Sequence, residues 1–284
     1  MTYKEIQNIA KGLHIEEVVI DKDWILGHFL NAMFSIPEIS KNFVFKGGTC
    51  LKKIYFPDYR FSEDLDFTLY DKDFIIDDSF VKKVIEIAEK TSGALYHLKQ
   101  IKLQIHNDIP QGYEITILFW GAYHKPNQRI LPVNRWQTKI KLDISYSEKV
   151  ILRPLEKTIY HSYSDSDKIN SIVPVYPLVE VIAEKLRSLM QRNRPRDIYD
   201  LYYLANIILP ESYQEILTVL KGKSADKNID CCYYDNFINS DKYKKNQRAW
   251  KSSLIYHLPK NQLVDYDFAF AKVEKFVKNI LNQT

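Results

Sequence analysis

The run Asp64-Leu65-Asp66-Phe67 alternates acidic and apolar residues. In an extended chain residues i and i+2 share a face. Asp64 and Asp66 therefore project together, while Leu65 and Phe67 point the other way, into a core. Two carboxylates on one face repel each other unless something neutralises them. A hard divalent cation bound by oxygens does so, and Mg²⁺ takes one or two carboxylates together with substrate phosphates. A third acid, Asp143, lies in a second alternating run, Ile140-Lys141-Leu142-Asp143-Ile144-Ser145. Neighbouring strands sit about 4.8 Å apart, so Asp143 can complete a triad of carboxylates. Three such acids can hold two metal ions about 3.5–4 Å apart, which suits in-line phosphoryl transfer.

Upstream stands Gly47-Gly48-Thr49, after a short strand at Phe43-Val44-Phe45. The following TCLKKIYF reads as one short helix stopped by Pro57. Without side chains, the glycines let backbone N–H groups approach a triphosphate, and a helix start favours negative charge. The stretch lacks the G-x-x-x-x-G-K-[ST] pattern of a phosphate-binding loop that also serves the metal. A separate strand carrying D-x-D must then supply the metal ligands.

Around these runs the chain reads as an α+β protein. Helices are expected over 1–11 and 16–34, the latter with Ile25, Leu26, Phe29, Leu30 and Met33 on one apolar face. Another helix starts at the Asp-Ser pair near residue 78 and ends at Gly93. LYHLKQIKLQIH, GYEITILFWGAY and WQTKIKLDISYS alternate as antiparallel strands. From about Tyr176 the pattern is helical: 178–191, 196–208, 211–221, 244–256 and 266–281. The segment 162–177 reads as a linker. This places an α/β domain over 1–170 and a helical domain over 171–284. The formal charge of +4 is too small to specify a partner by itself. Cys50, Cys231 and Cys232 show no metal or disulfide spacing, and no leader-like or membrane-spanning apolar run occurs. These features point to a reducing, cytoplasmic setting. None of the histidines falls in a ligand-spaced cluster.

A second constellation lies in EKLRSLMQRNRPRDIYDLYYL. At helical spacing Lys185 and Arg192 share a face. Pro195 breaks that helix, so Arg196 and Asp200 are i,i+4 neighbours on the next, with Asn193 or Arg194 near its cap. Arginine forks and lysine point charges both suit a triphosphate. Asp200 either orients Lys185 or accepts a proton from an acceptor hydroxyl, and Asp197 either caps the helix or pairs with Arg194. The bland alternative is a pair of helices laced by salt bridges. Further on, DKYKKNQRAWK carries Lys244, Lys245 and Arg248 with Tyr243 and Trp250 interleaved. Such bases bind phosphates and such aromatics stack on unpaired bases, although a solvated amphipathic helix with Trp250 in the core fits equally.

The order glycine turn, then D-x-D, resembles the nucleotidyltransferase superfamily that includes DNA polymerase beta. More closely, KGGTCLKK…RFSEDLDF resembles the AbiEii/AbiGii toxin family, with its Arg-x-Ser/Thr-x-Asp-x-Asp element at Arg60, Ser62, Asp64 and Asp66. The second motif matches that family's K-x-x-A-x-x-x-R-x-x-x-R-D-x-x-D-L pattern except that Ser188 replaces the alanine. The resemblance implies a polymerase-beta-like domain with a mixed or antiparallel sheet, followed by helices. It implies an NTP substrate and Mg²⁺, two ions held by Asp64, Asp66 and Asp143. Gly47, Gly48, Thr49, Arg60, Ser62, Lys185, Arg192 and Arg196 would bind the nucleotide, and Lys185 and Asp200 would join the catalytic set. The helical half would close over the α/β half. Related toxins add nucleotides to the 3′ end of tRNA, which implies an RNA acceptor here and a separately encoded antitoxin. Alternatives are nucleotidylation of a protein or small molecule, or a nucleotide-binding regulator without catalysis.

Overall fold

A computed structural model describes residues 1–125, 127–225, 227–260 and 262–283. The chain divides into two units, Met1–Glu148 with Pro154–Val175, and Lys149–Arg153 with Tyr176–Thr284. The first unit holds helices α1 (Tyr3–Leu13), α2 (Glu17–Phe34) and α3 (Pro37–Asn42), then strand β1 (Phe43–Lys46). Helix α4 (Gly47–Cys50) runs into a wider π-turn over Leu51–Tyr55, not the single short α-helix that TCLKKIYF suggests. Strand β2 (Asp64–Leu69), helix α5 (Asp78–Ser92) and strands β3 (Leu95–His106), β4 (Ile109–Trp120), β5 (Lys139–Ser145), β6 (Leu155–Thr158) and β7 (Ile172–Val175) follow.

The strands form one seven-stranded mixed sheet in the order β3-β4-β5-β2-β1-β7-β6. Strand β2 lies antiparallel to β1 and parallel to β5, and β4 is antiparallel to both β3 and β5. Leu65 and Phe67 of β2 are buried, as the alternation requires, beside Phe45 of β1 and Leu142 and Ile144 of β5. Residues 162–177 are not a linker. They include β7, which pairs with β1 and β6, and the buried side chains of Tyr163 and Asp165. Their polar composition conceals this, because much of it is spent on buried hydrogen bonds.

Helix α2 takes those bonds. The sequence suggests one apolar face, but nearly every side chain from Ile20 to Phe34 is buried, so the helix runs through the core with neighbours all round. Its buried polar residues must then find partners. Asp23 accepts from Tyr163 Oη at 2.7 Å and pairs with Lys53 Nζ at 2.5 Å. Asn31 Oδ1 accepts from the N–H groups of Asn170 and Ser171, both at 3.0 Å. Asp165 accepts from Trp24 Nε1 at 3.0 Å. Asp21 accepts the N–H of Ala122 at 2.9 Å, fastening the chain just after β4.

The second unit contains α6 (Leu178–Gln191), α7 (Pro195–Leu204), α8 (Tyr213–Ala225), α9 (Tyr234–Phe237), α10 (Ser240–Leu254) and α11 (Tyr266–Leu281). Leu186, Leu201, Leu217, Trp250, Val273 and Phe276 lie in its interior. A fully buried ion pair, Glu180 with Lys223 at 2.9 Å, joins α6 to α8. The same carboxylate accepts the N–H groups of Ile151 and Leu152, both at 2.9 Å, which ties residues 149–153 into this unit. Among the described residues no helix is long and apolar enough to cross a membrane.

Asp21 makes the first unit's stability depend on pH. Burial raises its pKa from 3.8 to about 7, against the pull of the backbone N–H groups of Ala122 and Tyr123. Between those values the folded state keeps a proton that the unfolded chain releases. Stability therefore falls as pH rises through that window, by on the order of 1.4 kcal/mol per pH unit from this group. Urea titrations of the wild type and Asp21→Asn should give a stability difference that moves in the variant's favour from pH 4.5 to pH 7 and levels off above. A difference independent of pH would show that Asp21 is ionised in the fold.

Candidate active site

The alternation that buries Leu65 and Phe67 turns Asp64 and Asp66 to the opposite face, where both are half-buried. The parallel register of β2 with β5 sets Asp66 directly opposite Asp143 and Asp64 opposite Lys141. The three sequence-selected carboxylates thus meet on one sheet face. Their donor set is hard oxygen on adjoining strands, which fits Mg²⁺ better than a softer metal. Crowding that withdraws water raises the Asp143 pKa above its ordinary value, and Glu114 and Asp64 add to this as like charges. Lys46 and Gln104 act against it. A cation among these acids would relieve the same repulsion.

Gly47 stands beside this group for a steric reason. Its φ is +78°, and a Cβ there would lie 2.0 Å from Asp66 Oδ2. The absent side chain gives Asp66 its position as well as giving the turn its backbone. At Gly48 a Cβ would lie 2.9 Å from Arg60 Nη2 and 3.0 Å from Ser62 Oγ. The R-x-S-x-D-x-D element therefore packs directly against the glycine turn. Arg60 is buried there, and its guanidinium also donates to the Phe61 carbonyl at 3.2 Å. Thr49 is buried too, with its hydroxyl donating to the Asp64 carbonyl, so this side chain fixes the start of β2.

Other polar residues of the site escaped the sequence reading. Lys46 pairs with Asp66 across β1 and β2 and bears electrostatically on Asp143. Its place just before the glycines was a usable signal once β1 and β2 were taken as neighbours. Lys22 of α2 is 3.5 Å from Glu63, and burial lowers its pKa while Glu63 and Asp64 raise it. Glu114 of β4 pairs with Lys141 at 3.4 Å, and Gln104 of β3 approaches Asp143 Oδ1 at 3.5 Å. These contacts depend on register alone, which no local pattern encodes.

In the second unit Lys185, Asp200, Asp197 and Arg192 form one cluster. Lys185 Nζ lies 2.6 Å from Asp200 Oδ2 and 3.6 Å from Asp197 Oδ1. Asp200 is fully buried and holds the lysine's ammonium group. Asp197 pairs with Arg192 through two bonds of 3.0 and 2.9 Å, not with Arg194. Arg194 instead occupies the helix N-cap position, without a side-chain bond to the cap. Arg196 Nε donates to the Ser253 carbonyl at 3.4 Å.

The basic stretch of α10 divides by role. Lys244, Lys245 and Arg248 are exposed. Its aromatics differ: Trp250 is buried with Nε1 donating to the Val264 carbonyl at 2.9 Å, so it is not offered for stacking, whereas Tyr243 is half-buried, packs on Tyr266 and Phe270 and donates its hydroxyl to Asp267 at 2.6 Å. Burial of the Trp250 ring removes its apolar area from water.

The histidines also need correction. His28 and His161 converge on Asp165 at 3.0 and 3.3 Å, forming a buried group of metal-ligand type that their distant positions in the sequence conceal. Burial drives His161 down to about pKa 3, and its ring stays neutral. Asp165 already accepts from Trp24, so the group also reads as a hydrogen-bonded knot between α2 and the 161–165 segment.

A glycine turn, a strand bearing paired acids and a third acid on its parallel neighbour thus stand together in the first unit. A solved structure with this fold is MenT4, a nucleotidyltransferase toxin from Mycobacterium tuberculosis H37Rv. It is 17% identical with a TM-score of 0.65, over 99% of this chain and 89% of that chain. No curated protein sequence matches the chain. The model of the nucleotidyl transferase AbiEii toxin family, of type IV toxin–antitoxin systems, matches residues 28–272, and the chain belongs to that family. It is a nucleotidyltransferase toxin.

Gly47 gives a direct check on how the site is built. A methyl group there must displace Asp66, so Gly47→Ala should lower nucleotidyl transfer by about 100-fold or more, the scale of a misplaced catalytic group. Circular dichroism should remain that of the wild type. Retention of full activity would remove Asp66 from the reacting geometry.

Proposed function

We propose that the protein transfers a nucleoside monophosphate from an NTP to the 3′-terminal hydroxyl of an RNA, most simply a tRNA, with Mg²⁺ as cofactor. The observation that carries this reading is the register of Asp66 against Asp143, beside Asp64 and the Gly47 turn. Asp64, Asp66 and Asp143 would hold the metal, two ions in the full assembly. When bound, Mg²⁺ neutralises phosphate charge and polarises the α-phosphate for in-line attack. The chain's own part is positioning. The Gly47–Gly48 backbone and Ser62 cradle the departing pyrophosphate, while Arg60 and Thr49 hold that cradle rigid from beneath. By its likeness to the family's second motif, Lys185 would bind the nucleotide, with Asp200 orienting its ammonium group. Catalysis then comes from fixed charges and fixed distances. The acceptor's proton leaves at the Asp143 side, where the carboxylates lie. Lys244, Lys245 and Arg248 would attract the RNA backbone by charge alone. Such a transferase acts in the cytoplasm, where NTPs and tRNA are found, and a separately encoded antitoxin opposes it.

Purified protein incubated with each labelled NTP, Mg²⁺ and total RNA should label RNA. Label on protein or a small molecule would move the acceptor to that class, and NTP binding without transfer would leave a regulator. Asp64→Ala and Asp66→Ala should each abolish labelling while the melting temperature stays within a few degrees of wild type. Lys185→Ala should raise the KM for NTP by about tenfold, as expected when one cationic phosphate ligand is removed. An unchanged KM would return Lys185 to a purely structural ion pair.

The α10 cations have a separate signature. Changing Lys244, Lys245 and Arg248 to Ala should weaken RNA binding and flatten the log K against log[salt] slope by roughly 0.7–0.9 for each phosphate no longer neutralised. NTP affinity should stay at the wild-type value. An unchanged slope would make this face an ordinary solvated helix.

A further inference from the structure

The strand order gives the site two unlike sides. The glycine turn lies at the end of β1, on one side of the paired acids of β2, and Asp143 lies on β5, on the other side. Beyond β5 the sheet continues into β4 and β3. In-line transfer requires the attacking and leaving oxygens on opposite sides of the phosphorus. If the pyrophosphate leaves over the glycine turn, the acceptor enters over β5, β4 and β3.

The register shows what it would meet there. Lys102 of β3, Glu114 of β4, Asp143 of β5 and Asp66 of β2 stand opposite one another in a single row across the sheet. The adjoining row holds Gln100, Thr116, Lys141 and Asp64. On the other side of the first row, Gln104 stands opposite Gly112 and reaches Asp143 at 3.5 Å. Gly112 has no side chain because a Cβ would lie 2.1 Å from the Ile144 carbonyl oxygen, and the face stays low there.

A β-bulge decides this arrangement. Tyr96 and Leu98 stand opposite Phe119 and Ile117, whose side chains lie on the core face. At Lys99 the register slips by one residue, so Gln100 then stands opposite Thr116 and Lys102 opposite Glu114. The slip moves Gln100, Lys102 and Gln104 onto the acid-bearing face and Ile101 and Leu103 onto the core face. Without it, two apolar residues would border the carboxylates. Gln100 and Lys102 are exposed. They offer amide and ammonium donors, and β3 adds no carboxylate to this face. Glu114 is already paired with Lys141. Donors of this kind next to a metal-binding acid fit a polyanionic chain that ends in a hydroxyl.

We infer that the β3–β4 hairpin is the acceptor-binding surface, with Gln100 and Lys102 holding the phosphodiester backbone of an RNA whose 3′ end reaches Asp143. This rests on the transferase reading above and adds the path of the acceptor to it. The step itself forms a bond between the acceptor's 3′-oxygen and the α-phosphorus and breaks the α–β phosphoanhydride. Pyrophosphate leaves with the bonding electron pair, and the hydroxyl proton is released.

The test uses the full chain, Mg²⁺, a labelled NTP and total RNA. It compares the wild type with Gln100→Ala/Lys102→Glu and with Lys83→Glu, a charge control on an exposed turn of α5. The double variant should raise the KM for RNA about tenfold and flatten the salt slope of RNA binding by roughly 0.7–0.9. Its KM for NTP and its melting temperature should match those of the control. If wild-type protein labels RNA and the double variant keeps wild-type RNA affinity and slope, the hairpin path is wrong and the transferase reading stands. If the wild type labels protein or a small molecule instead, RNA is overturned as the occupant together with the acceptor named above. A rise in both KM values would place the two residues at the nucleotide, and overturn the path as well.

Discussion

The parallel pairing of β2 with β5 is the constraint on which the rest of the site depends. It brings Asp66 level with Asp143, two like charges that an isolated sheet would keep apart. The fold tolerates this because the opposite faces of the same strands carry Leu65, Phe67, Leu142 and Ile144, all buried. Burial of those side chains contributes about 1.5–3 kcal/mol each, far more than the repulsion of partly solvated carboxylates removes. A one-residue slip of either strand would invert both faces at once. Core packing therefore enforces the acidic cluster, and the cluster in turn asks for a cation.

Support for that sheet comes from an unusual source. Helix α2 is buried nearly all round yet carries Asp21, Asp23, His28 and Asn31 inside the core. Each reaches a different segment: the chain after β4, the π-turn lysine Lys53, the buried Asp165, and the backbone before β7. Buried polar groups of this kind cost stability when unpaired and restrict geometry when paired. The arrangement favours a single placement of those segments around the sheet. The π-turn fits this scheme, because Lys53 lies there with its ammonium group directed at Asp23 inside the protein.

The nucleotidyltransferase assignment and the details of the site rest on different grounds. Membership of the AbiEii toxin family follows from a match over 28–272. The placement of individual residues follows from packing. Thr49 and Arg60 stand in the motif and are buried, Thr49 bonded to the Asp64 carbonyl and Arg60 close against Gly48. Gly47 serves both the backbone conformation and the room for Asp66. The same division holds in the helical unit, where Asp200 is fully enclosed and Lys185 is the more accessible of the two.

The sequence by itself determined the local pieces. Alternation marked β2 and β5 and the faces of their acids. Helix α6 follows the predicted span of 178–191, and Pro195 opens α7 as its missing N–H requires. The glycine turn and the order of acids carried the family. Tertiary structure decided whatever depends on which strands and loops become neighbours. It ran α2 through the core, put β7 inside a segment that reads as a linker, and drew His28, His161 and Asp165 together. It also buried Trp250 and slipped β3 at Lys99, so that Lys102 and Gln104 face the acids. The physical reason is common to all of these. Periodicity reports which side of an element is apolar, whereas register, bulges and buried polar pairs are settled by partners far away along the chain.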